Sequence, residues 1–331
     1  MNMCHHVPKP LNVVKLMAAA TKSNFKFFMC AKPLSVSLLL FFSITLSAQP
    51  KKDVDYLAIL KRASVYSKEA NDSFPKFTYQ SSKEPALAAL RKHFNLDSIA
   101  GFGNEASRII NLLHWVHNTV KHDGQHESGI KDINANSILT SAMERHVGVS
   151  CGELATTLND CYLAMGWKSR KIYCFPKDSL RIDHDSHVIN IVYLSSKKKW
   201  VWMDPTNDAY VMNEQGELLS IEEVRERLIS GKPLLVNPDA NWNHKSSTEK
   251  PYYLETYMAK NLYRFYCALR SEYDYETWGR NKRVVYVYLF PLDHNKKMPF
   301  RTGDYFNPDL KTTFNTYNLF NQKIFWQVPG D

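Results

Sequence analysis

Three residues of this 331-residue chain have the types and spacing that acyl chemistry needs: Cys151, His187 and Asp204. Nucleophilic thiol catalysis requires a thiolate-prone cysteine, a base beside it and a third group that orients the base. An imidazole can take the thiol proton and later return it to a leaving amine, while a carboxylate fixes the tautomer and stabilises the imidazolium. Each residue also has a plain structural role open to it. Cysteine is often a small buried residue, a polar residue can open a strand, and an Asp before Pro205 can start a turn. Only the combination points to catalysis.

Cys151 belongs to Gly148–Gly166, which reads as a loop feeding a helix. Ser150 and Glu153 fit a capping box, Leu154, Leu158, Tyr162 and Met165 recur at helical spacing, and Gly166 supplies the stop. Cys151 is then the first helical residue, where the positive end of the dipole favours thiolate and free N–H groups can hold an oxyanion. His187 and Asp204 belong to a hairpin. His187–Leu194 is apolar on both faces, as a covered strand is, Trp200–Asp204 is its partner, and Ser195–Lys199 makes the turn. Both residues therefore come to one end of the sheet. A regular ladder is expected to set Asp204 opposite Ile191, roughly 13 Å along the strand from His187, a gap that a bulge or bend must close.

From Gly148 to Asn207 the chain resembles the transglutaminase-like superfamily, cysteine enzymes related in fold to papain. The resemblance rests on three motifs. The first is a G-x-x-C-x-x-x-A helix ending in A-x-G, with an arginine opening the next strand: Gly148, Cys151, Ala155, Ala164, Gly166 and Arg170. The second is the histidine at H-V-I-N, His187. The third is W-x-x-x-D-P-T: Trp200, Asp204, Pro205 and Thr206. With the upstream helix around Trp115 it covers Glu105–Asn207. The family usually has tryptophan two residues after the histidine, at the groove beside the thiol, and here Ile189 stands there. The resemblance implies attack of Cys151 on an amide carbonyl and a thioester intermediate. Water resolving it makes a peptidase or amidase acting on a peptide or protein, a cell-envelope peptide included; an amine resolving it makes a cross-linking acyltransferase. A related family removes asparagine-linked glycans with the same triad, and a scaffold keeping the fold without turnover is the non-enzymatic alternative. No metal or organic cofactor is implied.

Charge and composition narrow the field further. The formal net charge is +9, but residues 1–48 hold five lysines, no arginine and no acid, and the remainder is only +4. No basic stripe interleaved with aromatics is present, so nucleic acid is not called for. Those first residues read as an export signal: lysines, the apolar run Leu34–Leu46, and a small residue for cleavage after Ala48. The run is shorter than the roughly 20 residues of a membrane span, and Met29 or Met17 makes a more ordinary start. The mature chain is expected to be periplasmic or extracellular, with no transmembrane span. Its four cysteines are Cys151, Cys161, Cys174 and Cys267; a Cys174 bridge to Cys161 or Cys267 is open in an oxidising compartment.

Around this centre the expected fold is α+β, a papain-like core with the cysteine helix packed on an antiparallel sheet that carries His and Asp. The expected organisation is a signal at 1–48, a helical extension at 49–103, a catalytic core at 104–242 and a helix/strand extension at 243–331. Val54–Glu69, Ala86–Phe94, Glu105–Val120 and Pro251–Arg270 read as helices, Lys131–Leu139 as a loop, and Arg170–Phe175 and Val284–Phe290 as strands. His114, His117, His122 and His126 crowd one region, but no carboxylate or cysteine completes a metal set at tight spacing.

Overall fold

The computed structural model describes residues 54–330 apart from 64, 70–72, 178–184 and 295–297; the expected leader lies outside the described residues. From Asp55 onward the described chain forms one unit, with seven main helices: α1 Tyr56–Lys61, α2 Pro85–His93, α3 Leu96–Ala100, α4 Glu105–Thr119, α5 Ala135–Arg145, α6 Cys151–Ala164 and α7 Ile221–Ser230. No helix among the described residues is long and apolar enough to cross a membrane.

The main sheet has seven strands: β1 Ser169–Phe175, β2 His187–Leu194, β3 Lys199–Met203, β4 Arg264–Ala268, β5 Lys282–Leu289, β6 Tyr305–Asn307 and β7 Thr312–Leu319. They lie in the order β6-β7-β5-β4-β1-β2-β3. The fold is α+β, and the sheet is mixed rather than antiparallel throughout, because β5 and β7 run parallel. Side chains along β2 alternate between two buried layers. Ile189 and Ile191 join Trp202, Val224 and Met258 on one face. Val192 and Leu194 join Ile109, Leu113 and Leu158 of the helical face on the other. That double burial is why the strand is apolar throughout.

Several elements depart from expectation. Residues 131–139 are not all loop: Asn134 caps Ser137 N and starts α5, which buries Ile138, Leu139 and Ala142. The first helix stops at Lys61 because the chain beyond it pairs with the C-terminal region, Ser67 N donating to Phe320 O at 2.7 Å. The helix read over Pro251–Arg270 is helical only to Asn261. Its second half, R-F-Y-C-A, is aromatic and pairs between β1 and β5 as β4, tertiary pairing overriding the helical spacing. In its first half, Tyr253–Met258 is a π-helical turn. The cysteines among the described residues, Cys151, Cys161, Cys174 and Cys267, are buried and form no disulfide, so no bridge joins Cys174 to Cys161 or Cys267.

Candidate functional site

Cys151 is the first residue of α6, and both halves of the capping box form: Ser150 Oγ accepts from Glu153 N at 3.3 Å, and Glu153 Oε2 accepts from Ser150 N at 2.9 Å. The thiol-bearing residue is 2% exposed. The orientation of α6 follows from two contacts. Asn190 Nδ2, midway along β2, donates to Ala155 O at 2.9 Å, and beyond the helix Lys168 O accepts from Tyr193 N at the far end of that strand, at 2.8 Å. The N-terminus of α6 therefore lies toward the end of β2 that His187 opens.

His187 and Asp204 meet there. Asn190 pairs with Met203, so Asp204 is level with Ile189, not with Ile191. The offset from His187 is two residues, about 7 Å of strand, and the side chains span it without a bulge. The loop that sets this register is the four residues 195–198, a 3-10 turn at Ser195–Lys197 with Lys198 left-handed at φ 52, between the paired Leu194 and Lys199. His187 Nε2 donates to Asp204 Oδ2 at 2.8 Å, with the two residues 1% and 0% exposed.

The carboxylate is held by more than histidine. Asp204 Oδ2 also accepts from Tyr253 Oη at 2.6 Å and Asn207 Nδ2 at 3.0 Å, and Oδ1 accepts from Thr206 N at 2.9 Å. Burial pushes this carboxyl up, but the His187 charge and the hydrogen bonds from His187, Tyr253 and Asn207 outweigh it and hold it below the ordinary range. Burial, with the Asp204 charge, pushes the Tyr253 hydroxyl well up, so it stays a donor. Tyr257, from the same π-helical turn, sets its ring edge-on to His187, centroids 5.2 Å apart.

Beside the pair opens a cavity of about 130 Å³ whose walls include His122, His187, Trp242, Tyr252, Tyr253 and Tyr257. Ile189 is fully buried in the apolar layer behind; aromatic side chains from residues 242–257 wall the cavity instead. Sequence reasoning missed Tyr253 and Tyr257. Their four-residue spacing put them on one helical face, but the Leu254, Met258, Leu262 stripe carried the reading of that segment.

The histidines fall into separate roles. His114 Nδ1 lies 2.8 Å from both Asp208 oxygens, and its Nε2 is 3.7 Å from Asp239. Among the described residues, His114, Asp208 and Asp239 each offer a ligand atom within 4.8 Å of the others, carboxylates that the sequence spacing of the histidines did not show. His117 Nδ1 donates to Pro205 O at 3.0 Å, and His126 pairs with Asp123. His122 makes an isolated bridge with Val149, two residues before Cys151. Gly148 permits that approach, since a Cβ there would stand 2.8 Å from Asp123 Cβ.

No family model matches the chain, and no curated protein is similar to it. Two solved structures are similar in part. One is described as a candidate cysteine protease from Cytophaga hutchinsonii, with a TM-score of 0.28 and 17% identity over 50% of this chain and 51% of that one. The other is a candidate protease from Parabacteroides distasonis, with a TM-score of 0.24 and 17% identity over 45% of this chain and 32% of that one. The chain spans about half the length of the first and a third of the second. Likeness this distant assigns no residue roles.

Proposed function

We propose that this protein is a cysteine-dependent amide hydrolase, a peptidase or amidase of the transglutaminase-like type with a papain-like core, acting through Cys151, His187 and Asp204. The observation that carries the reading is the buried His187–Asp204 hydrogen bond, at the strand end toward which the capped Cys151 helix points. With Asp204 on Nε2, Nδ1 is the nitrogen that exchanges a proton with the thiol. The thiolate attacks an amide carbon, forming the C–S bond while the carbonyl pair moves to oxygen. Collapse expels the amine, which takes its proton from Nδ1, and a thioester remains. Water then gives a proton to Nδ1 and adds to the thioester, releasing the acid and regenerating the thiol. Asp204 stays ionised throughout and holds the ring.

The test is the pH dependence of Cys151 alkylation by iodoacetamide, read at that residue by mass spectrometry in the wild type and in His187→Ala. Fast labelling at neutral pH that the substitution slows supports a histidine-coupled thiolate. Labelling that follows an ordinary thiol, with pKa near 8.5, and ignores the substitution leaves a binding protein with this fold. Peptides incubated with and without a primary amine then separate hydrolysis from cross-linking acyl transfer. Export is part of the same proposal, supported by the lysines ahead of Leu34–Leu46 and by Ala48. A secreted chain beginning at Gln49 is the expected product; one retaining the leader removes that part.

A further inference from the structure

We infer that His122 is an oxyanion-stabilising catalytic residue, a neutral imidazole that donates Nε2–H to the substrate carbonyl oxygen as Cys151 attacks. The inference rests on the thiol-acylation reading above and names a residue that reading does not use.

The tautomer is fixed by chemistry. Trp242 Nε1 lies 3.0 Å from His122 Nδ1, and an indole nitrogen can only donate. Nδ1 is therefore the acceptor, and the neutral ring carries its proton on Nε2. Asn243 clamps the backbone at the same residue: its Oδ1 accepts from His122 N at 2.8 Å, and its Nδ2 donates to His122 O at 2.9 Å. The ring thus has little freedom to turn.

The unanswered Nε2–H is the second observation. His122 is 3% exposed, and Nε2 has no hydrogen-bond partner among the described residues. A buried donor left without an acceptor is destabilising, so an orphan in a native site calls for an occupant. The ring lines the cavity that His187 lines, and the Val149 bridge sets its backbone within two residues of Cys151. A carbonyl oxygen there receives one hydrogen bond from Nε2–H and a second from an N–H at the start of α6. As the C–S bond forms, the carbonyl pair becomes an oxyanion and both bonds strengthen. On collapse the pair returns, and His122 keeps its proton throughout. A neutral donor held in place ahead of the reaction needs no reorganisation when the charge appears.

Two reagents isolate this role without knowledge of the natural substrate. p-Nitrophenyl acetate acylates a thiol through a tetrahedral oxyanion; iodoacetamide alkylates it by displacement at carbon, with no oxyanion. Both rates are read at Cys151 by mass spectrometry. In His122→Phe, acylation is expected to fall about 10²-fold or more, while alkylation stays within about twofold. His122→Gln, which keeps an N–H donor, is expected to recover most of the acylation rate. Acylation within about threefold of wild type in His122→Phe overturns the inference. If His122→Phe loses both reactivities, His122→Gln decides: restored acylation relative to alkylation supports the donor role, and two low rates mean His122 is structural. In His187→Ala both rates fall if the triad reading holds. Unchanged rates there defeat that reading by itself, through a different variant and a different signature.

Discussion

Two of the His–Asp pairs among the described residues, His187–Asp204 and His114–Asp208, share one closing distance and differ in what surrounds them. His187–Asp204 and His114–Asp208 both close at 2.8 Å, and both carboxylates come from one turn, four residues apart. The first pair is fully buried, its carboxylate ringed by hydroxyl, amide and backbone donors, its imidazole on a cavity with no acid among the described lining residues. The second is partly exposed at the ring, with a carboxylate near each nitrogen. The Asp208 hydrogen bond, against partial desolvation, raises the His114 pKa and favours the cation. An imidazole biased toward its cation ties α4 to the turn; under the proposed function, one oriented by a fully hydrogen-bonded buried carboxylate takes the thiol proton. Pair distance alone does not identify a base. What surrounds the pair does.

The sharpest way to break this contrast is to neutralise each acid in turn. Asp204→Asn should lower amide turnover by roughly three to four orders of magnitude, as loss of an orienting carboxylate does in triad enzymes, whereas Asp208→Asn should leave it within about twofold. Comparable losses in both would erase the distinction. On stability, Asp204→Ala leaves buried donors unanswered and is expected to cost about 3–5 kcal/mol, measured as a shift in denaturant midpoint. Tyr253→Phe removes one hydrogen bond to a charged acceptor, about 1.5–3 kcal/mol, and should move the acid limb of the activity profile to higher pH. His114→Ala should cost no more than about 1 kcal/mol, since the ring is partly solvated.

The pH dependence of the two pairs runs in opposite directions. Asp204 has a lowered folded-state pKa, so its stabilisation is present above the ordinary carboxyl value, near 3.8, and is lost as pH falls through the folded value. His114 has a raised one, so its contribution is full below about 6.5 and is lost as pH rises through the folded value. Denaturation of His114→Ala against wild type at pH 5.5 and pH 8.5 should show the larger difference at the lower pH. A difference that grows with pH contradicts the cation clamp.

Local signals explain why part of the site was legible and part was not. The capping box at Ser150 and Glu153 involves four consecutive residues, and it formed as read. The β2–β3 hairpin is also local, and its β-branched run marked β2 residue for residue; only the register across the turn was misjudged. Trp242, Tyr253 and Tyr257 reach the His187 side of the sheet from 55 to 70 residues away in sequence, the two tyrosines through a π-helical turn that no apolar periodicity announces. The sheet's remaining strands failed for a similar reason. β4 looked helical because leucine and phenylalanine spacing alone cannot show that β1 and β5 lie on either side of it.

Arg170 shows what this wiring means for synthesis. Its guanidinium lies 4.3 Å from the Phe77 ring centroid and 4.4 Å from that of Trp200, and it donates to Phe325 O at 2.8 Å. The strand next to the His187 strand is thereby fastened to residues from the beginning, middle and last turn of the chain. A ribosome emitting this protein releases Cys151, His187 and Asp204 well before the carbonyl that anchors the buried arginine exists. The buried arginine is satisfied only once Phe325 is made, so truncation shortly before Phe325 should release a chain holding every proposed catalytic group and no settled arrangement of them.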